Sequence, residues 1–300
     1  MIQPRVNYYT ELIQILIYLA DVKNQTRQNI GNAFYCGKIE DYFDKFKDHP
    51  AVSATRERVM NNRFNYIRPH EAAVRFEKIL NGREELTEWA GLVKRFEEEA
   101  GFKNFFGGMS DYYEEILDKI RACSLNEWSD MIERYFKGSA DFNLIICPLD
   151  GNYGFNIDGA AYVVRCQPYY NEKGEMPFSL SGFAKGIAHE YAHCFVNPIV
   201  EANAELLKNH RAFFEKHTNM ANFYNVDYAV INEYWVRAFA IRFMEKLNFE
   251  DFDINEEYSR QRDMFIYIDR FTDLLKKYEK TDDCFEEFYL ANLEKALLDY

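Results

Sequence analysis

Residues His189-Glu190-Tyr191-Ala192-His193 place two imidazoles four positions apart, with a carboxylate directly after the first. On a helix, four residues make slightly more than one turn, so both rings leave the same face with Cβ atoms about 6 Å apart. Two ring nitrogens can then converge on one ion at roughly 2.0 to 2.1 Å. Glu190, about 100° further round, flanks that ion and stands where a general base must stand to take a proton from water. Imidazole and carboxylate around a four-coordinate ion with one open position suit zinc, although Fe, Mn or Co accept the same donors. The pattern therefore predicts a zinc-dependent hydrolase in which water attacks directly and no covalent enzyme intermediate forms. The competing explanation is two unrelated histidines, among six in the chain, that happen to lie one turn apart.

A third protein ligand is expected beyond the motif. The longer pattern His-Glu-x-x-His-x-x-Gly-x-x-His fails, because residue 196 is Val and residue 199 is Ile. A carboxylate is the alternative. Pro198 disfavours helical geometry at Asn197, so the motif helix is expected to end there and the chain to turn back. Glu201, Glu205 and Glu233 are the candidates. Glu201 and Glu205, with Lys208, read as a solvated helical face. Glu233 lies in the apolar run Val230 to Phe243, where a carboxylate needs a partner to be buried. A metal is one such partner and an i, i+4 salt bridge to Arg237 is another. Glu233 is favoured, then Glu205, then Glu201.

With these residues in place the chain resembles the gluzincin group of zinc peptidases, which combine His-Glu-x-x-His with a Glu from a following helix. More specifically, His189-Glu-Tyr-Ala-His-Cys-Phe-Val-Asn-Pro198 followed by Asn232-Glu-Tyr-Trp-Val-Arg-Ala238 is similar to a bacterial family of unknown function regarded as gluzincin-like metallopeptidases. The segments Glu11 to Ala20 and His49-Pro50-Ala-Val add weakly to the likeness. The resemblance implies zinc, with Glu233 joining His189 and His193 as its ligands and Glu190 as the base; the family says little about substrate, and a peptide or protein substrate is the expectation for a metallopeptidase. Well-studied gluzincins bind the substrate backbone along an edge strand before the motif helix, and residues 160 to 166 are the natural counterpart. They also stabilise the oxyanion with a Tyr, His or Arg. Tyr228 is preferred for that role over Tyr224, His210, His217 and Arg237, although a tyrosine packed at a helix start would look the same.

The elements that must hold these residues can be read from periodicity. From Tyr8 to about Phe136 the pattern is a series of helices, with breaks at Gly31, His49-Pro50, Arg68-Pro69, Gly82 and Gly107-Gly108. Residues Phe142 to Cys147 and Ala160 to Cys166 are short and β-prone, and Gly151 to Gly159 between them is turn-like, which predicts a small sheet or hairpin. Helices then resume near Ser181 to Val196, Ile199 to His217, Tyr228 to Leu247, Asn255 to Tyr278 and Phe285 to Leu298, with Ser179 or Ser181 as the start of the motif helix. The fold class expected is mainly α (α+β), zincin-like. It comprises a helical lobe over 1–140 and a catalytic region over 141–300, or one continuous domain.

Composition excludes several partners. The 300 residues carry a net charge of -13 with no long run of Lys or Arg, so nucleic acid is not expected. The apolar stretch Leu12 to Ala20 is too short to span a bilayer, and Glu11 directly before it is wrong for a secretory signal. No membrane insertion and no export signal are expected, which leaves localisation open, and oligomeric state is not legible. Six scattered cysteines without a Cys-x-x-Cys pair read as free buried thiols. No nucleophile elbow or phosphate loop is present. Two rivals remain: a non-catalytic zincin-like scaffold that binds peptide, and a zinc hydrolase of non-peptide amides.

Overall fold

The computed structural model describes residues 2–22, 32–61, 69–82, 86–166, 168–171, 173–216 and 227–298. Its helices and single small sheet match the expected class, mainly α with a minor β component. The chain forms two compact units and passes between them several times over residues 123–179, so no single cut near 140 separates them.

One unit comprises residues 1–123, 143–153 and 164–178. Its helices are α1 (Tyr8–Leu19), α2 (Ala33–Phe43), α3 (Pro50–Met60), α4 (Pro69–Val74), α5 (Phe76–Asn81), α6 (Thr87–Glu99), α7 (Phe102–Gly108) and α8 (Ser110–Arg121). Helix α1 begins where the Asn7 side chain accepts from the Thr10 amide, a cap that satisfies one of the otherwise orphan first-turn donors. It is apolar nearly all round, with Leu12, Ile13, Ile15 and Leu16 fully buried, and packs on α3 and α4. Such a helix belongs at the centre of a core. Trp89 on α6 is anchored by its Nε1, which donates to Thr55 Oγ1 of α3 at 3.0 Å.

The other unit comprises residues 124–142, 154–163 and 179–300. It holds α9 (Leu125–Phe136), α10 (Leu180–Ala202), α11 (Arg211–Glu215), α12 (Asp227–Leu247), α13 (Ile254–Met264), α14 (Ile268–Tyr278) and α15 (Phe285–Leu297). The two longest helices, α10 and α12, pack on each other, and α14 also packs on α12. Trp235 of α12 is fully buried and meets Phe271 and Phe285 edge-on, at 4.9 and 5.6 Å between ring centroids. The aromatic richness visible in the composition is in this unit largely core.

The sheet has strands β1 (Arg5–Val6), β2 (Asp141–Ile146), β3 (Tyr153–Ile157) and β4 (Ala160–Arg165) in the order β1-β2-β4-β3. Strand β1 is parallel to β2, with Arg5 opposite Ile145 and Val6 opposite Ile146. Strands β3 and β4 are joined by Asp158-Gly159, both at positive φ (50° and 85°), the backbone a two-residue hairpin demands. Four expectations need correction here. The stretch read as turn-like contains β3, because Gly154 serves close packing rather than a turn. The run Asn255 to Tyr278 is two helices, α13 and α14, and Ile199 to His217 is the end of α10, a 3₁₀ segment Ala204–His210 and α11. The motif helix does not end at Asn197; α10 runs through Pro198 to Ala202.

The six cysteines are free, with Cys36, Cys147 and Cys194 buried and Cys284 exposed as the cap of α15. Among the described residues, no helix is long and apolar enough to cross a membrane.

Within the first unit Glu11 is completely buried, and Tyr35, itself in contact with Tyr113 at 2.7 Å, donates to its carboxylate at 2.5 Å. Burial pushes Glu11 up to about 7, against the opposing hydrogen bonds from Tyr35 and Cys147. A carboxyl with a raised folded-state pKa contributes fully below its unfolded value near 4.5, and the contribution is lost as pH rises from there to about 7. The span corresponds to roughly 3 kcal/mol. Glu11→Gln, which is neutral at every pH, should therefore gain about that much relative to the parent between pH 4.5 and 8 in urea unfolding curves; parallel pH profiles would refute the protonated state of Glu11.

Candidate metal centre

Helix α10 starts at Ser179, whose hydroxyl accepts from the Gly182 amide at 3.0 Å. From that start, roughly three turns of helix lead to His189, and one more turn brings His193 to the same face. The two ring centroids are 4.9 Å apart and the planes lie at 86°. Helix α12 crosses the same face and presents Glu233. Its Oε1 lies 3.5 Å from His193 Nε2 and its Oε2 3.7 Å from His189 Nε2. Each imidazole thus faces a different oxygen of the same carboxylate. Glu190 is more distant, with Oε1 4.0 Å from His189 Nε2. His189, Glu190 and His193 form a group able to hold a metal ion, their ligand atoms within 4.8 Å of one another. Glu233, outside that group, nevertheless approaches both imidazoles more closely than Glu190 approaches His189. The donor set of two imidazoles and one carboxylate is one that zinc accepts.

Solvent reaches the group. The side chains of His189, His193 and Glu233 keep 18%, 11% and 13% of their surface exposed. The charges are mutually adjusted. Burial alone would raise Glu233, but the hydrogen bond to His193 and the charges of His189 and Arg237 outweigh it and hold the carboxyl far below its usual range. Burial alone would lower His193, and its hydrogen bond and attraction to Glu233 outweigh that, holding it above the ordinary imidazole value. His193 is fixed from behind as well: its Nδ1 pairs with Asn197 Oδ1 at 2.9 Å, one turn further along. That contact leaves Nε2 as the nitrogen turned toward Glu233, the outer-shell arrangement that orients ligating imidazoles.

Pro198 ties the helix to the sheet. Lacking an amide hydrogen, it cannot bond the carbonyl four residues back, at Cys194. That carbonyl is taken instead by Asn156 Nδ2 of β3 at 2.8 Å. The same strand presses Gly154 onto the helix so closely that a Cβ there would lie 1.7 Å from the Glu190 carbonyl oxygen, and the Cys194 sulfur lies 3.5 Å from the Phe155 carbonyl. Strand β3, outermost in the sheet, therefore lies against the helix alongside Glu190 and Cys194. The expectation that residues 160 to 166 form the edge strand is overturned: they are β4, inside the sheet between β2 and β3.

The other candidates are distributed as follows. Glu205 is 83% exposed and paired with Lys208 at 2.6 Å, as a solvated face would be. Glu201 receives Asn232 Nδ2 at 3.5 Å. Tyr228 precedes Glu233 by five residues on α12, about 140° round the helix, and among the described residues makes no hydrogen bond or ring contact with the metal-binding group. His210 faces Glu294 at 3.5 Å. Tyr224 and His217 lie outside the described residues. Arg237 is at the centre, its Nε donating to Glu233 Oε2 at 2.8 Å. Of the two reasons weighed for burying Glu233, a metal and a salt bridge, the salt bridge to Arg237 is present, and the two imidazoles face the same carboxylate. Sequence reasoning missed Gly154, Asn156 and Asn197. The readable signals were Asn197-Pro198, one turn after His193, and a glycine alternating with apolar residues in Tyr153 to Ile157.

A mainly helical protein with a His-Glu-His group able to hold a metal ion is what the fold and the site define. Residues 69–291 match the family model described as a domain of unknown function, DUF4932, and the chain belongs to that family. No curated protein and no solved structure matches it.

The Asn156 contact should exist because of Pro198. Asn156→Ala should cost about 1 to 2 kcal/mol of stability by leaving the Cys194 carbonyl without its donor. The same change should cost clearly less in a Pro198→Ala background, where the restored backbone amide can supply the helical hydrogen bond. Equal costs in both backgrounds, measured by denaturant unfolding, would show that the two residues are not coupled.

Proposed function

We propose that this protein is a zinc-dependent hydrolase that cleaves peptide bonds. The observation that carries the reading is the group of His189, Glu190 and His193 on one helix, able to hold a metal ion, with the two oxygens of the Glu233 carboxylate facing one imidazole each at 3.5 and 3.7 Å. Zinc, when bound by these three side chains, supplies Lewis acidity to a carbonyl and to water.

The remaining work falls to the chain itself. Glu190, only 7% exposed and flanking His189, is the general base: its carboxylate accepts the proton of the attacking water and passes it to the leaving nitrogen. Asn197 holds His193 by its Nδ1, with Nε2 turned toward Glu233. A thiol route is disfavoured, because burial pushes Cys194 up to about 12 and its sulfur packs against β3. Peptide is preferred over a small amide because β3, at one end of the strand order, is seated on the motif helix, and a terminal strand is where an extended chain can add by backbone hydrogen bonding.

A zinc-loaded full chain should hydrolyse members of a mixed peptide library, and a chelator should abolish this. Glu190→Gln should retain the metal and lose about a hundredfold or more in rate, while His193→Ala should lose metal and activity together. Parental rates in the Gln variant would remove Glu190 from the role of base. Turnover of small amides alone would move the substrate class, and bound zinc with no turnover of either would leave a binding scaffold. For the ligand assignment, Glu233→Ala should weaken zinc retention against a competing chelator by far more than Glu205→Ala does. The reverse order would transfer the ligand to Glu205.

A further inference from the structure

Helix α13 carries a buried acid that the proposed chemistry does not use. Glu257 is 2% exposed, yet ionised: burial alone would raise it, and Lys185 and Gln261 hold it below the usual carboxylate value. Its Oε2 accepts from Lys185 Nζ of α10 at 2.9 Å and also pairs with Arg260. Its Oε1 accepts from Gln261 Nε2 at 2.7 Å. Gln261 passes the chain on, its Oε1 accepting from Arg237 Nη1 at 3.2 Å. Arg237 then donates through Nε to Glu233 Oε2 at 2.8 Å, while its guanidinium lies over the Phe265 ring at 4.5 Å.

The result is a continuous row of polar contacts, Lys185 to Glu257 to Gln261 to Arg237 to Glu233, that ties α10, α13 and α12 together and ends on one oxygen of the carboxylate facing the imidazoles. An isolated i, i+4 pair on a helix would leave the guanidinium free to rotate. This one is clamped at three points: a carboxylate, an amide and a ring face. Such a fixed fork constrains its partner in direction as well as charge.

We propose that Arg237 is a positioning residue that makes Glu233 a one-oxygen ligand: by holding Oε2 it leaves Oε1, the oxygen nearer His193, to the metal. The inference rests on the metal reading above. Its function would be to keep a coordination position open for water and substrate, since a carboxylate free to turn can occupy two positions. Removing Arg237 therefore adds an oxygen to the metal's coordination, an effect that a purely structural salt bridge would not produce.

The test uses the full chain loaded with zinc or, for visible absorption, with Co²⁺. The separation between the asymmetric and symmetric carboxylate stretches of Glu233, assigned from infrared difference spectra by comparison with Glu233→Gln, should be wide in the parent, as for one-oxygen ligation. It should narrow in Arg237→Met, and the Co²⁺ absorption should weaken as coordination number rises. Arg237→Lys keeps the charge but cannot bond Glu233 and Gln261 together, so it should shift both readouts in the same direction by less. It decides the matter if the Met variant fails to fold. Folded variants with the parental stretch separation and Co²⁺ spectrum would overturn the proposal, as would a two-oxygen signature in the parent, while leaving the zinc site intact. A parent that binds neither metal would remove the metal reading itself and this inference with it.

Discussion

A carboxylate cannot remain ionised in a helix interface unless cations or strong donors surround it, and Glu233 satisfies that requirement with two imidazoles and a guanidinium. The rest of the centre follows from this demand. It explains why α10 and α12, the two longest helices, meet with His189 and His193 turned toward position 233 rather than into separate environments. Both helices are continuous through the donors, so relative donor positions are set by helix geometry and by the aromatic packing around Trp235. Donors carried on rigid, packed elements are held more accurately than donors on loops.

The residues after the motif have a second consequence for geometry. A helix that loses one hydrogen bond at Pro198 exposes a carbonyl that needs another donor. Here the donor comes from Asn156, and the absence of a side chain at Gly154 lets the strand approach within contact of the helix backbone. An ordinary helix packs a sheet at a distance set by side chains on both surfaces. Replacing two of those side-chain contacts with a missing amide hydrogen and a missing Cβ draws the outermost strand in until it touches Glu190 and Cys194. The proline thus positions the strand without shortening the helix.

Much of the centre was legible in the sequence because helical spacing converts directly into geometry. His189, Glu190 and His193 needed only a helix, and the start at Ser179 was readable from its capping chemistry. Glu233 stood out as a charge in an apolar run. The sheet was legible in outline, but β3 was not, since Tyr153-Gly-Phe-Asn-Ile reads as a turn until the helix that requires its glycine is known. The end of α10 was misread for the complementary reason. Proline disfavours the helix locally, and only a donor from elsewhere in the chain could offset the loss at Cys194. The row from Arg237 to Lys185 was also hidden, because Glu257 and Gln261 look like ordinary polar positions on α13 until it is packed.

Glu11 and Glu233 show how the same buried side chain reaches opposite states. Glu11 is surrounded by the hydroxyl of Tyr35 and the thiol of Cys147, neutral donors that stabilise an anion too weakly to offset complete burial, and its carboxyl rises to about 7. Glu233 is surrounded by His189, His193 and Arg237, each able to carry positive charge, and its carboxyl is held far below the usual range. The difference lies in the neighbours, since both groups are desolvated. A carboxyl that keeps its proton is a poor ligand for a dication, whereas one already held as an anion beside two imidazoles presents the charge and the lone pairs that such an ion requires. Of these two buried acids, therefore, the neighbours hold Glu233 as the anion, whereas Glu11 takes up its proton far more readily than an exposed carboxyl, within the packing of α1 against the tyrosines around it.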